Sequence, residues 1–128
     1  MINDSKNLNN KVFNVGLIGC GLIGKKRAKA LGSEGKLVAC SDINIVNGQN
    51  LSNDTGAKFY SDWRELISNK EIEVVIVATT HDSLAEITKS AVRSGKHVLV
   101  EKPAARNVTE LSSVMSIAKE NSCKIHVG

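Results

Sequence analysis

Six residues near the amino end, Gly19-Cys20-Gly21-Leu22-Ile23-Gly24, constrain this chain more than any other stretch. They read G-x-G-x-x-G. An apolar, strand-like run from Val12 to Ile18 precedes them, and a segment of helical period from Leu22 to Ser33 follows. The spacing alone is weak evidence, because glycine is common. Between a strand and a helix it becomes specific. The first glycine permits a tight turn, the second lets a foreign group approach the backbone, and the third lets helix lie close on strand. Gly24, Ala28 and Leu31 fall at i, i+4 and i+7, a face the helix can lay on a sheet.

The same alternation continues along the chain. Leu37 to Ser41 reads as a second strand. Ile45 to Thr55 is expected to be a helix by alternation, although Gly48 and three asparagines lower its propensity. Lys58 to Tyr60 is a short third strand. Asp62, with Glu65 three residues on, resembles a capping box for a helix whose apolar face is Trp63, Leu66 and Ile67. The β-branched run Val74 to Ala78 suits a strand covered on both faces. Ser83 and Glu86 form a second capping pair, opening a helix that stops at Gly95. His97 to Val100 is the fifth strand. After Pro103, Asn107 with Glu110 opens a helix striped by Leu111, Val114, Met115 and Ala118, and Lys124 to Val127 is the sixth strand. The pattern predicts an α/β fold, a doubly wound parallel sheet of the Rossmann type with strand order 3-2-1-4-5-6. Right-handed crossovers place its ligand crevice at the carboxyl ends of strands one and four. Residues 1–11 read as a flexible polar tail, and 12–128 as one domain.

Composition removes several functions. The 128 residues carry 17 basic and 13 acidic side chains, a net charge of +4, and the basic residues are scattered apart from Lys25-Lys26-Arg27. Aromatic residues are only 3%, so a base-stacking surface for nucleic acid is not expected. Cys20, Cys40 and Cys123 make an odd count without a CxxC pair, which argues against a disulfide framework and against a metal site. No run approaches the ~20 apolar residues of a membrane span, and residues 1–11 lack the apolar core of a signal peptide. A cytoplasmic protein is the expectation.

Asp42, 18 positions after Gly24 and at the end of the second strand, supplies the acidic partner that a glycine loop of this kind needs. A carboxylate there can accept both hydroxyls of an adenosine ribose. It would repel a 2′-phosphate by about 4 kcal/mol at ~4 Å and an effective dielectric of ~20. Residues 43–46 offer no Lys or Arg to offset that repulsion. NAD is therefore expected over NADP. The plainer alternative for Asp42 is a helix cap or turn residue. Lys25-Lys26-Arg27, placed in the helix's first turn, reads more readily as a solvated face than as a phosphate ligand.

Two stretches together carry a family resemblance. Gly16 to Gly24 reads Gly-Leu-Ile-Gly-Cys-Gly-Leu-Ile-Gly, and Ser94 to Pro103 reads Ser-Gly-Lys-His-Val-Leu-Val-Glu-Lys-Pro. With the Val74–Ile87 segment between them, these closely resemble the Gfo/Idh/MocA oxidoreductases, over residues 12–128. The resemblance implies a two-domain enzyme whose amino-terminal domain binds a nicotinamide dinucleotide. The substrate domain would lie beyond residue 128, and the full-length protein would form a homo-oligomer. It implies a cofactor site of Gly19, Cys20, Gly21, Leu22, Ile23, Gly24, Asp42, Ala78, Thr79, Thr80, His81, Glu101 and Lys102, with Lys102 of Glu-Lys-Pro as the catalytic lysine. The family's proline, asparagine and histidine after the fourth strand are replaced by Thr80, His81 and Leu84. Hydride transfer between a sugar, nucleotide-sugar or cyclitol hydroxyl and NAD is the implied reaction, with this chain alone binding cofactor but not turning over. Transient-redox glycoside cleavage or dehydration, and a stand-alone NAD-sensing module, remain the alternatives.

Overall fold

The computed structural model describes residues 12–79, 81–101 and 115–127. Strand β1 spans Phe13–Ile18 and is followed by helix α1, Leu22–Lys29. Strand β2 is Gly35–Ser41, helix α2 Ile45–Thr55 and strand β3 Lys58–Tyr60. Helix α3 spans Trp63–Ser68, strand β4 Val74–Val77 and helix α4 His81–Arg93. Strand β5 is His97–Val100, a helical stretch covers 115–120, and strand β6 is Ile125–Val127. The six strands form one sheet in the order β3-β2-β1-β4-β5-β6, every neighbouring pair parallel. This is the Rossmann topology that the alternation predicts.

Side chains alternate across the pleat, so the sheet feeds two cores. Ile18, Val75, Val77, Val98 and Val100 pack with Leu66 and Ile67 of α3 and with Leu84, Ile87, Ala91 and Val92 of α4. Val15, Leu17, Cys40 and Ile76 face the other way, with Leu51 of α2 and the partly buried Ala28 of α1. The central strands are dry because both faces are covered, which is why β4 reads as an unbroken apolar run.

Several local expectations need correction. Helix α1 ends at Lys29 rather than Ser33, because Gly32 takes up φ +61° and Leu31 turns back onto Gly35. That shortening places Lys26 and Arg27 in the helix's last turn, where positive charge complements the dipole rather than opposing it. Helix α2 forms despite Gly48. A Cβ at that position would stand 2.1 Å from the Phe59 ring, so packing against β3 requires the glycine that propensity disfavours. Asn44 caps its start by accepting from the Asn47 N–H, and Gly56 closes it at φ +79°. Asp62 caps α3, but through the Arg64 N–H at 2.9 Å rather than that of Glu65. Helix α4 begins at His81, so Ser83 lies inside its first turn and is not the cap; Glu86 reaches Arg64 instead, at 3.6 Å. The helix expected from Asn107 is described only over 115–120, where Ala118 is buried and Met115 half exposed. The tail over 1–11, Thr80, Lys102 and Pro103 lie outside the described residues.

Candidate dinucleotide site

A cleft of about 380 Å³ opens at the carboxyl ends of β1, β2 and β4, where the strand order reverses. Gly19 and Gly21 form one wall and Asp42 the rim beyond β2, with Ala78 and Thr79 at the end of β4. Its lining is mainly apolar, from Ile18, Trp63 and Ile87.

The three glycines have separate physical reasons. Gly19 holds φ +100°, and a Cβ there would lie 2.4 Å from the Ala78 carbonyl oxygen, so the turn crosses β4 at backbone contact. At Gly24 a Cβ would stand 1.9 Å from the Gly19 carbonyl oxygen, which is how tightly α1 is drawn onto the loop. A Cβ added at Gly21 would meet nothing within 4 Å. No protein neighbour requires that glycine, and the space faces the cleft. Gly21 is also the N-cap of α1 and supplies no side-chain bond to the helix's first N–H groups. An uncapped helix start beside open space is a cradle for a phosphate.

Asp42 ties the rim together. One carboxylate oxygen accepts from the Cys20 N–H at 2.7 Å, the other from the Asn44 N–H at 2.8 Å. Each oxygen keeps a further lone pair for a ligand hydroxyl. The carboxylate thus combines a turn-stabilising role with a position at the cleft mouth, and the cap of α2 is Asn44. Beneath it the Cys20 thiol, fully buried, donates to the Ser41 carbonyl oxygen at 3.4 Å. Its proton is held well above the ordinary thiol range by hydrogen bonding with Cys40, by burial and by the nearby Asp42 carboxylate. With its proton held this firmly, the Cys20 thiol is a packing group rather than a nucleophile.

The structure brings together Gly19, Gly21, Asp42, Ala78 and Thr79 along the cleft. Cys20 lies under it and contributes its backbone, while Gly24 acts by packing. Leu22 and Ile23 point largely to solvent, 71% and 47% exposed. Glu101, at the end of β5, accepts a two-pronged bond from Arg27. His81 starts α4. Sequence reasoning missed Asn44, Ser61, Trp63 and Ile87 as lining residues. The signal for Ser61 and Trp63 was their place just after β3, next to β2 in the sheet. Among the described residues no His, Cys, Asp and Glu group could hold a metal, and no helix is long and apolar enough to cross a membrane.

Topology, glycine loop and rim carboxylate define a dinucleotide-binding Rossmann domain, and the donor set fits a nicotinamide dinucleotide. Residues 13–128 match the Gfo/Idh/MocA family, described as an oxidoreductase family with an NAD-binding Rossmann fold, and the chain belongs to it. It is 36% identical over 98 residues to an inositol 2-dehydrogenase of Azotobacter vinelandii, covering 73% of this chain and 29% of that one. It is 30% identical over 121 residues to a levoglucosan dehydrogenase of Pseudarthrobacter phenanthrenivorans, covering 86% and 31%. Among solved structures, a biliverdin reductase from Synechocystis sp. PCC 6803, in complex with biliverdin and NADP+, superposes with a TM-score of 0.84 at 27% identity. That match covers 89% of this chain and 37% of the other. The chain thus spans about a third of the length of the relatives it matches.

Proposed function

We propose that this chain is the cofactor-binding part of an NAD-dependent dehydrogenase acting on a hydroxyl of a cyclitol or sugar-like substrate. The observation that carries the reading is the cradle at Gly21. It is an open, uncapped helix start, facing the same cleft as the Asp42 carboxylate. A pyrophosphate would rest on the N–H groups from Gly21 onward, and Asp42 would accept the adenosine ribose hydroxyls. Ile43, Ser61 and Trp63 would flank the adenine end, with Ala78, Thr79, Thr80, His81 and Glu101 toward the nicotinamide. Hydride acceptance is the chemistry a bound nicotinamide supplies there. Lys102, next after Glu101, is the family-implied catalytic lysine, which would orient the substrate hydroxyl. The remaining acid–base groups and the substrate pocket would belong to a second domain beyond residue 128, which also would carry the contacts of a homo-oligomer. The inositol and levoglucosan dehydrogenases among the relatives support the substrate class.

NAD is favoured over NADP on charge. Among the described residues no Lys or Arg lines the cleft, so nothing there offsets Asp42 against a 2′-phosphate. Three free cysteines, two of them buried, suit a reducing compartment such as the cytoplasm. Calorimetric titration of the chain with NAD and NADP tests the reading. Tighter NAD binding that is lost in Asp42→Ala is expected. Equal or tighter NADP binding would overturn the cofactor assignment, and binding of neither would overturn the site.

A further inference from the structure

Arg27 and Glu101 are 74 residues apart in sequence, yet they meet as a fork. Arg27 Nε donates to Glu101 Oε2 at 2.5 Å and a terminal guanidinium nitrogen donates to Oε1 at 3.1 Å. The two side chains are 34% and 17% exposed, so the pair is half withdrawn from water rather than a solvated surface contact. Its position in the sheet gives it meaning. Arg27 rides on α1, whose start is the phosphate cradle and whose Gly24 is pressed on the loop after β1. Glu101 leaves the end of β5, and its own N–H donates to the Val77 carbonyl oxygen of β4 at 3.0 Å. Strand β4 lies between β1 and β5. The fork therefore spans the carboxyl end of β4, beside the Ala78 and Thr79 positions that form the inner end of the cleft.

We propose that Arg27 is a positioning residue: it fixes Glu101, and with it the start of the segment leading to Lys102, relative to the phosphate-binding helix. The backbone of Glu101 is held by β4 and its carboxylate by α1, so the direction in which the chain leaves β5 is set from two sides. A bidentate guanidinium–carboxylate pair supplies geometry more than stability, since a partly exposed ion pair contributes little net free energy. The grip on the nicotinamide end of the cofactor then depends on Arg27, whereas the grip on the ADP-ribose end does not. The inference rests on the dinucleotide reading proposed above.

The test compares NAD with ADP-ribose, which lacks the nicotinamide, by calorimetry on the 128-residue chain and on Arg27→Met, Arg27→Lys and the charge-swapped Arg27→Glu/Glu101→Arg. Arg27→Met is expected to lose about tenfold in NAD affinity while ADP-ribose affinity stays within about twofold, a coupling of ordinary size. The swapped pair should regain part of the NAD preference, and Arg27→Lys, with one prong instead of two, should fall between. Equal loss of both ligands, or failure of all three variants to fold, would make the pair a structural staple and overturn the proposal. An unchanged preference for NAD in folded Arg27→Met would overturn it too, as would a wild-type chain that binds the two ligands equally. A wild-type chain that binds neither removes the dinucleotide reading itself, which is a separate and recognisable result.

Discussion

Substituting alanine at the three loop glycines one at a time should separate stability from binding, because each glycine has a different neighbour. At Gly24 the added methyl would meet the Gly19 carbonyl oxygen at 1.9 Å, so α1 must draw back by about 1 Å from the loop it caps. The obstacle is backbone rather than a flexible side chain, which puts the cost at the upper end of overpacking, about 3 kcal/mol. At Gly19 the methyl would meet the Ala78 carbonyl oxygen at 2.4 Å, and φ +100° is strained for any side chain. Backbone strain of ~1–3 kcal/mol adds there to the clash. For a domain of this size, 3 kcal/mol lowers Tm by about 10 °C. Gly21 differs: φ −77° and ψ −162° suit alanine, and the space is open. Stability should change by no more than ~1 kcal/mol, since a stiffer unfolded chain offsets a weaker N-cap. A methyl in the cradle would displace the phosphate from at least one charge-assisted hydrogen bond, worth ~1.5–3 kcal/mol, or about tenfold to a hundredfold in NAD affinity. Thermal unfolding and NAD calorimetry on the three variants provide the assay. If Gly21→Ala binds NAD as the wild type does, the phosphate does not rest there. If Gly24→Ala is as stable as wild type, the packing argument is wrong.

Three further outcomes follow from the packing. Gly48→Ala drives a methyl to 2.1 Å from the Phe59 ring and should destabilise by ~1–3 kcal/mol, with most of the loss removed in a Phe59→Leu background, as a double-mutant cycle of urea midpoints would show. Leu84, fully buried where α4 meets the sheet, should cost ~2–5 kcal/mol when truncated to alanine, read by denaturant unfolding. Lys96 is 5% exposed and donates to the Asn69 carbonyl oxygen at 2.7 Å; burial lowers its pKa below the usual lysine range. Because the unfolded chain then holds that proton more readily, this group's contribution to stability rises as pH climbs from the lowered folded value through the ordinary lysine value, and is constant below that window. Unfolding free energies measured as pH rises to the ordinary lysine value of about 10.5 should show a smaller rise in Lys96→Met than in wild type, and parallel curves would refute the point.

The site was legible in unequal parts. Gly19, Gly21 and Asp42 announce themselves because a turn, an open cradle and a strand-end carboxylate each demand a residue type at a fixed short spacing. Trp63 and Ser61 gave no such signal. They reach the cleft only because β3 lies beside β2, a fact of strand order. Gly48 misled for the same kind of reason, since its helix propensity is poor and its justification is a ring on another strand. Ser83, offered as a cap, lies within the first turn of its helix and lines the cleft instead.

By itself the sequence determined the order of strands and helices, the doubly wound sheet and the end of it where a ligand would lie. Those features are local: apolar period, glycine at the turn and a break before each element act over a few residues. Tertiary structure alone decided what Arg27 is for. Nothing within a few residues of it distinguishes a solvated basic run from one arm of a fork. Only the sheet, by setting the ends of β1 and β5 on either side of β4, brings Glu101 within hydrogen-bonding reach of α1.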